Sequence, residues 1–260
     1  MAGNENKTLE FLVANLGRIT LNHLGLISSI QTPTKFGLAD LYTLADVAEN
    51  KTQDSRKKAD VIINGYGVSM KQEGPCFPYN RLQRAELPSL FQFLGFENPQ
   101  ELLNRFDSEV DAYNAGSLPG GRSREPLEFL SEEEFYKITR FLMMDGSPNV
   151  GISPYKADFI MESPKNGINE NNIKVFTFDE YYNTYRDLLK IAIRRSWYGQ
   201  ESEDEHTRAV SLMRKPDNLR WVYSEFTGEP RPHIKTGKQW RDEVPANERK
   251  AAYYIMIEKK

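Results

Sequence analysis

The residue types best placed to do chemistry lie in one short run, KKADVIINGYGVSMKQ, at residues 57–72. Asp60 opens a β-branched stretch, the chain reverses over NGYG, and the returning stretch carries Ser69 and Lys71. Strand alternation gives Asp60, Ile62 and Asn64 one face, and sets Ser69 and Lys71 on a face opposed to Val68, Met70 and Gln72. Asp60 and Lys71 are roughly equidistant from the turn, so a hairpin brings a carboxylate beside an ammonium. Gly65 and Gly67 supply the backbone freedom for the reversal. A carboxylate binds a hard divalent ion such as Mg²⁺ through oxygen. Such an ion lowers the pKa of a bound water and neutralises charge on a phosphate. A lysine beside that water orients it and stabilises the negative charge of the transition state. Such an arrangement suits phosphodiester hydrolysis, with a second acidic or carbonyl ligand still needed to complete a metal site. As a bare cross-strand ion pair, the same two residues would contribute less than about 1 kcal/mol.

Several elements must position this hairpin. In TLEFLVANL (residues 8–16), Leu9, Leu12, Val13 and Leu16 recur at helical spacing, with Gly17 as a C-terminal stop and Glu10 off the apolar stripe. LADLYTLADVAEN reads as helix, and YNRLQRAELPSLFQFLGF as a helix restarted at Pro88. SEEEFYKITRFLMM begins with a serine cap and acids, a helix start. KADFIMES (156–163) and NNIKVFTF (171–178) are strand candidates that pair. DEYYNTYRDLLKIAIRRSWY is expected to be helical, with Tyr181, Tyr185, Leu188 and Ala192 on one face. RKAAYYIMIEKK reads as a final strand. Interspersed helices and strands place the chain in the α/β (α+β) class.

The order of a Glu-bearing helix, a strand opening with Asp, a tight turn and a strand ending in x-x-Lys resembles the PD-(D/E)XK nuclease core. Its texture is closest to type II restriction endonucleases. The resemblance covers about the first third of the chain. It implies a restriction-endonuclease-like core, a central mixed sheet flanked by helices, with C-terminal elaboration for DNA recognition. A single domain over residues 1–260 is expected, with the catalytic core elements in 1–106 and the rest of the sheet, helices and recognition segments in 107–260. By resemblance Asp60 matches the motif's aspartate and binds Mg²⁺, and Lys71 matches its lysine. The position two before the lysine is normally acidic and here is Ser69. The missing charge is expected from Glu10, as a second metal ligand, or from Glu73. Ser69 and Gln72 would line the site. Implied activity is Mg²⁺-dependent, site-specific cleavage of double-stranded DNA leaving 5′-phosphate ends, by a cytoplasmic homodimer whose two-fold symmetry matches a palindromic site. The alternatives are a repair or transposition nuclease of the same fold, or a non-catalytic DNA-binding protein.

Charge supports a nucleic-acid partner locally. The net charge is −3, yet residues 51–84 carry +4 and residues 207–260 carry +5, leaving −12 elsewhere. A local patch rather than the sum sets phosphate attraction. Arg81 and Arg84 stand three apart and would share a helix face. RPHIKTGKQWR offers Arg231, Lys235, Lys238 and Arg241 for phosphates, with His233 and Gln239 able to read base edges. Arg122 and Arg124, in a Gly-rich loop, are a further pair that DNA would order. A second candidate centre echoes the first: Asp158 opens ADFIM, and Asn172 and Lys174 follow in NNIKV. One cysteine, Cys76, permits no internal disulfide, and no histidine pair has zinc spacing. No apolar run approaches the ~18–20 residues of a membrane helix, and the amino terminus lacks the pattern of a signal peptide.

Overall fold

The computed structural model describes residues 5–49, 57–118, 125–126, 128–199, 203–224 and 244–260, and the chain is a mixed α/β protein. It divides into two compact units built from separated stretches. Met1–Pro78, Tyr136–Leu189 and Glu258–Lys260 form the first, and Tyr79–Phe135 with Lys190–Ile257 form the second. Late strands return to complete the first unit.

The first unit holds helix α1 (Glu5–Ala14) and a six-stranded mixed sheet. Its strands are β1 (Ile30–Thr34), β2 (Gly37–Asp40), β3 (Val61–Ile63), β4 (Tyr66–Gln72), β5 (Phe159–Ser163) and β6 (Lys174–Phe176), in spatial order β6-β5-β4-β3-β1-β2. All neighbours are antiparallel except β4 and β5, which run parallel in the register Phe159↔Val68 through Ser163↔Gln72. Alternation sorts the faces. Val61, Ile63, Val68, Met70, Met161 and Val175 pack with Leu12 and Val13 of α1 into one apolar core. The opposite face carries Ser69, Lys71 and Glu162, and helix Phe178–Tyr185 contacts it through the Tyr185 hydroxyl on Glu162. Helices therefore flank both faces of a central mixed sheet.

The β3–β4 hairpin has the register Val61↔Val68, Ile62↔Gly67 and Ile63↔Tyr66, with Asn64 and Gly65 as the two loop residues. Their φ angles are 50° and 86°, the left-handed pair that a twisted two-residue hairpin requires and that Asn-Gly supplies. The Asn64 side chain accepts from the Ser28 and Ser29 amides and donates to the Leu24 and Leu26 carbonyls, pinning the turn to the preceding loop. Gly67 lies within β4 rather than in the turn. A Cβ there would stand 2.0 Å from the Lys156 carbonyl oxygen, so close backbone approach, not reversal, demands this glycine.

The second unit contains helices Leu87–Phe93 and Pro99–Asn114 and a sheet ordered Val222–Tyr223, Ala251–Lys259, Leu189–Trp197, Glu125–Pro126. Phe91, Phe106 and Trp221 are fully buried in it.

Four sequence expectations fail here. The helix expected through Ala192 ends at Tyr185, and Leu189–Trp197 is a strand. Tyr181 is buried on the short helix, whereas Leu188 is 44% exposed and Ala192 belongs to the sheet. In LKIAIRRSW the buried Leu189, Ile191 and Ile193 recur at period two, a signal the preceding tyrosines mask. LADLYTLADVAEN is split between β2 and a helix at Leu44–Glu49. Arg81 and Arg84 do not share a helix face, because Arg81 ends strand Cys76–Leu82 and Arg84 begins a short 3₁₀ turn. The helix expected from YNRLQRAELPSLFQFLGF begins only at Leu87, because Tyr79–Leu82 belong to the strand. Local propensity gives way to sheet pairing at each place.

Candidate functional site

Asp60 immediately precedes β3, and its amide donates to the Val68 carbonyl at 2.9 Å, so it lies level with Ser69 on β4. Its Oδ2 accepts the Met70 amide at 2.7 Å, completing the β4 ladder where β3 has not yet begun. Lys71 Nζ stands 3.9 Å from the same oxygen and donates to the Met70 carbonyl at 3.2 Å. Ser69 Oγ donates to Oδ2 at 3.5 Å, and Lys57 Nζ is 4.0 Å from Oδ1. The Asp60 and Lys71 side chains keep 25% and 20% of their exposure, so the pair opens to solvent. The sequence expectation that Asp60, Ser69 and Lys71 converge agrees with this geometry.

Lys58 adds a third ammonium. It donates to the Leu142 carbonyl at 2.5 Å, in the π-helical turn Phe141–Asp145, whose wide winding frees that oxygen. Burial, then the charge of Lys71, pushes Lys58 down to about 8, with Asp60 opposing. Asp60 thus stands near Lys57 and Lys71, with Lys58 electrostatically coupled to both Asp60 and Lys71.

Beside Lys71 in register on β5 is Glu162, 1% exposed. Its carboxylate is ion-paired with Lys259 and accepts the Tyr185 hydroxyl at 2.6 Å. The Lys259 ammonium stands 3.9 Å from the centroid of the Tyr185 ring and 5.2 Å from that of Tyr181. Burial chiefly raises the pKa of both tyrosines and of Cys76 nearby. Sequence reasoning misses Glu162, Lys259 and Tyr185. The parallel β4–β5 register, for which the chain has no local signal, sets Glu162 beside Lys71.

The remaining expected residues scatter. Glu10 is exposed on α1, which packs against the face opposite Ser69 and Lys71, so the structure does not bring it to Asp60. Glu73 pairs at 2.7 Å with Lys174. Gln72 points with Ser163, its register partner, to the α1 face. The echo centre does not assemble. Asp158 accepts the Gly67 amide at 2.8 Å, Asn172 organises a loop with Asn169 and Gly167, and Lys174 lies opposite Glu162, four residues along β5 from Asp158. In the second unit, Arg84 is held by Asp107 through two bonds at 2.7 and 2.8 Å, and Asp107 also accepts from Trp221. Arg81 is lowered in pKa, first by burial and then by Arg208. Arg122, Arg124, Arg231, His233, Lys235, Lys238 and Gln239 lie outside the described residues.

Among the described residues, no three His, Cys, Asp or Glu side chains gather to enclose a metal. Asp60 still offers Oδ1, which accepts no backbone amide from the described residues, with the Ser69 hydroxyl nearby. That donor set fits Mg²⁺, which is commonly held by one carboxylate together with waters and a substrate phosphate. It does not fit zinc or a calcium cage. No helix among the described residues is long and apolar enough to cross a membrane. Comparison with known protein families, with curated proteins and with solved structures gave no match.

Proposed function

We propose that the chain is a Mg²⁺-dependent endonuclease of double-stranded DNA, with the site specificity of a type II restriction enzyme and a PD-(D/E)XK-like core. One observation carries the reading: Asp60 and Lys71 meet at 3.9 Å on one face of the sheet, with the Ser69 hydroxyl against the same carboxylate oxygen. A partly exposed pair at this separation contributes about 1 kcal/mol or less to stability, so stability alone gives little reason for the arrangement.

In this reading Asp60 would hold Mg²⁺, and the ion, when bound, would neutralise charge on a phosphate and lower the pKa of a water. Lys57 and Lys71 draw the phosphate in by charge. Lys71, held by the Met70 carbonyl, presents an N–H toward the attacking water and stabilises the oxyanion as it forms. Ser69 keeps the Asp60 carboxylate turned toward the lysine. The Met70 amide fixes that carboxylate before substrate arrives, so little reorganisation accompanies the reaction.

Plasmid DNA incubated with the purified protein should yield discrete fragments in Mg²⁺ and none with chelator. Salt-sensitive binding with no cleavage under any divalent ion would overturn the proposal in favour of a binding protein.

A further inference from the structure

The two edges of the six-stranded sheet are treated differently. At one edge, β6 is three residues long, carries Lys174, and has its Val175 carbonyl accepting from the Asn22 side chain at 2.9 Å. Short length, lysine and a covering side chain are the usual ways of blunting a strand edge. At the other edge β2 is last in the order and has the opposite character. Around it Phe36 is 100% exposed, Tyr42 66%, Leu44 55% and Leu38 45%.

The hydrogen-bond phase defines what β2 offers. Leu41 donates to Ile30, and the register runs Gln31↔Asp40, Thr32↔Ala39, Pro33↔Leu38, Thr34↔Gly37. Bonded and non-bonded pairs alternate in an antiparallel ladder, so Ala39 and Gly37 face β1 while the amides and carbonyls of Leu38 and Asp40 face outward. Pro33, with no amide to give, falls at a non-bonded position of the β1–β2 ladder, consistent with this phase.

We infer that the outer edge of β2 is a two-fold interface at which a second copy of this chain adds its own β2 antiparallel. Pairing about Ala39 sets the outward groups of Leu38 against those of Asp40 in the second copy, and Phe36 against its Tyr42. The strand is self-complementary in charge as well. Lys35 stands at the hairpin tip, while Asp40 and Asp46 stand at the far end. An antiparallel copy brings the basic end of one strand to the acidic end of the other. A parallel or displaced pairing loses both the aromatic and the charge match. The acidic residues disfavour nucleic acid as the occupant, because a lone Lys35 faces two carboxylates. The inference does not depend on the nuclease reading.

The test is oligomeric state and register of the full chain. Sedimentation equilibrium should show a reversible dimer that Leu38→Lys weakens at least tenfold, with the melting curve unchanged at concentrations low enough for both proteins to be monomeric, because Leu38 is on the surface of the single chain. Lys174→Ala at the blunted edge should leave association unaltered. In a Cys76→Ala background, Ala39→Cys should form a disulfide-linked dimer on mild oxidation, because non-bonded antiparallel pairs bring Cα atoms to about 4.5 Å. Asp40→Cys, which meets Leu38 rather than itself, should not. A monomer at all concentrations, a dimer insensitive to Leu38→Lys, or equal cross-linking from both cysteine positions would overturn the interface. Loss of DNA binding in Phe36→Ser from a protein that stays monomeric would assign the hairpin to nucleic acid instead.

Discussion

The same tripeptide, Lys-Ala-Asp, occurs at residues 58–60 and 156–158, and the two copies flank β4 on opposite sides. Each aspartate donates its amide to β4, Asp60 to Val68 and Asp158 to Gly67. Each gives a carboxylate oxygen to a β4 amide, Met70 for Asp60 and Gly67 for Asp158. The difference is strand direction. The antiparallel approach sets Asp60 level with Ser69 and within 3.9 Å of Lys71. The parallel approach sets Asp158 against a glycine, which has no side chain to answer it. Identical local chemistry thus yields an acid–lysine pair on one side and a backbone cap on the other.

The comparison is broken most severely through its first member. Asp60→Ala or Lys71→Ala should lower DNA cleavage by at least about a hundredfold, the scale of losing one transition-state contact. Both proteins should remain folded by circular dichroism, and Lys174→Ala should cleave at the wild-type rate. Full activity in Lys71→Ala would move the chemistry elsewhere.

Gly67→Ala tests the crossing point that both tripeptides share. Its methyl would meet the Lys156 carbonyl at 2.0 Å and the Ala59 methyl at 3.2 Å, so a loss of about 1–3 kcal/mol is expected in urea unfolding. Asp158→Ala removes the acceptor of the Gly67 amide and should cost about 1 kcal/mol, with cleavage retained. Activity loss there without stability loss would contradict the cap assignment.

Lys58 sharpens the asymmetry through pH. Its folded pKa, about 8, lies below the usual lysine value of 10.5, so the unfolded chain binds more protons between these values. Stability should therefore rise as pH increases from about 8 toward 9.5, by about 1 kcal/mol or less per unit. Lys58→Met should flatten that rise in denaturant titrations at each pH. The smallest effect belongs to Lys174→Ala, whose exposed pair with Glu73 should change stability by less than about 1 kcal/mol.

Much of the site was legible because it is local. Alternation across Asp60, Ser69 and Lys71, and the Asn-Gly turn between them, follow from spacing and dihedral preference alone. The helices that failed show the limit of such reading. The tyrosine stripe ending at Tyr185 runs into the period-two pattern of LKIAIRRSW, and no local rule marks the boundary between them. Arg81 carries the helical spacing of a solvated face, yet it lies on a strand because Cys76–Leu82 pairs with Ala251–Lys259, far along the chain. Glu162 is likewise an ordinary strand residue until a parallel register sets it beside Lys71.

The amino-acid sequence by itself determined the hairpin, its turn and the shared face of the acid and the lysine, since neighbours a dozen residues apart are governed by strand period and backbone sterics. Tertiary structure alone decided which Lys-Ala-Asp would face a lysine, which glutamate would be buried with Lys259, and which sheet edge would stay open. Those outcomes depend on strand direction and register between segments nearly a hundred residues apart, and pairing over that distance is selected by burial of the whole core, not by any short run of residues.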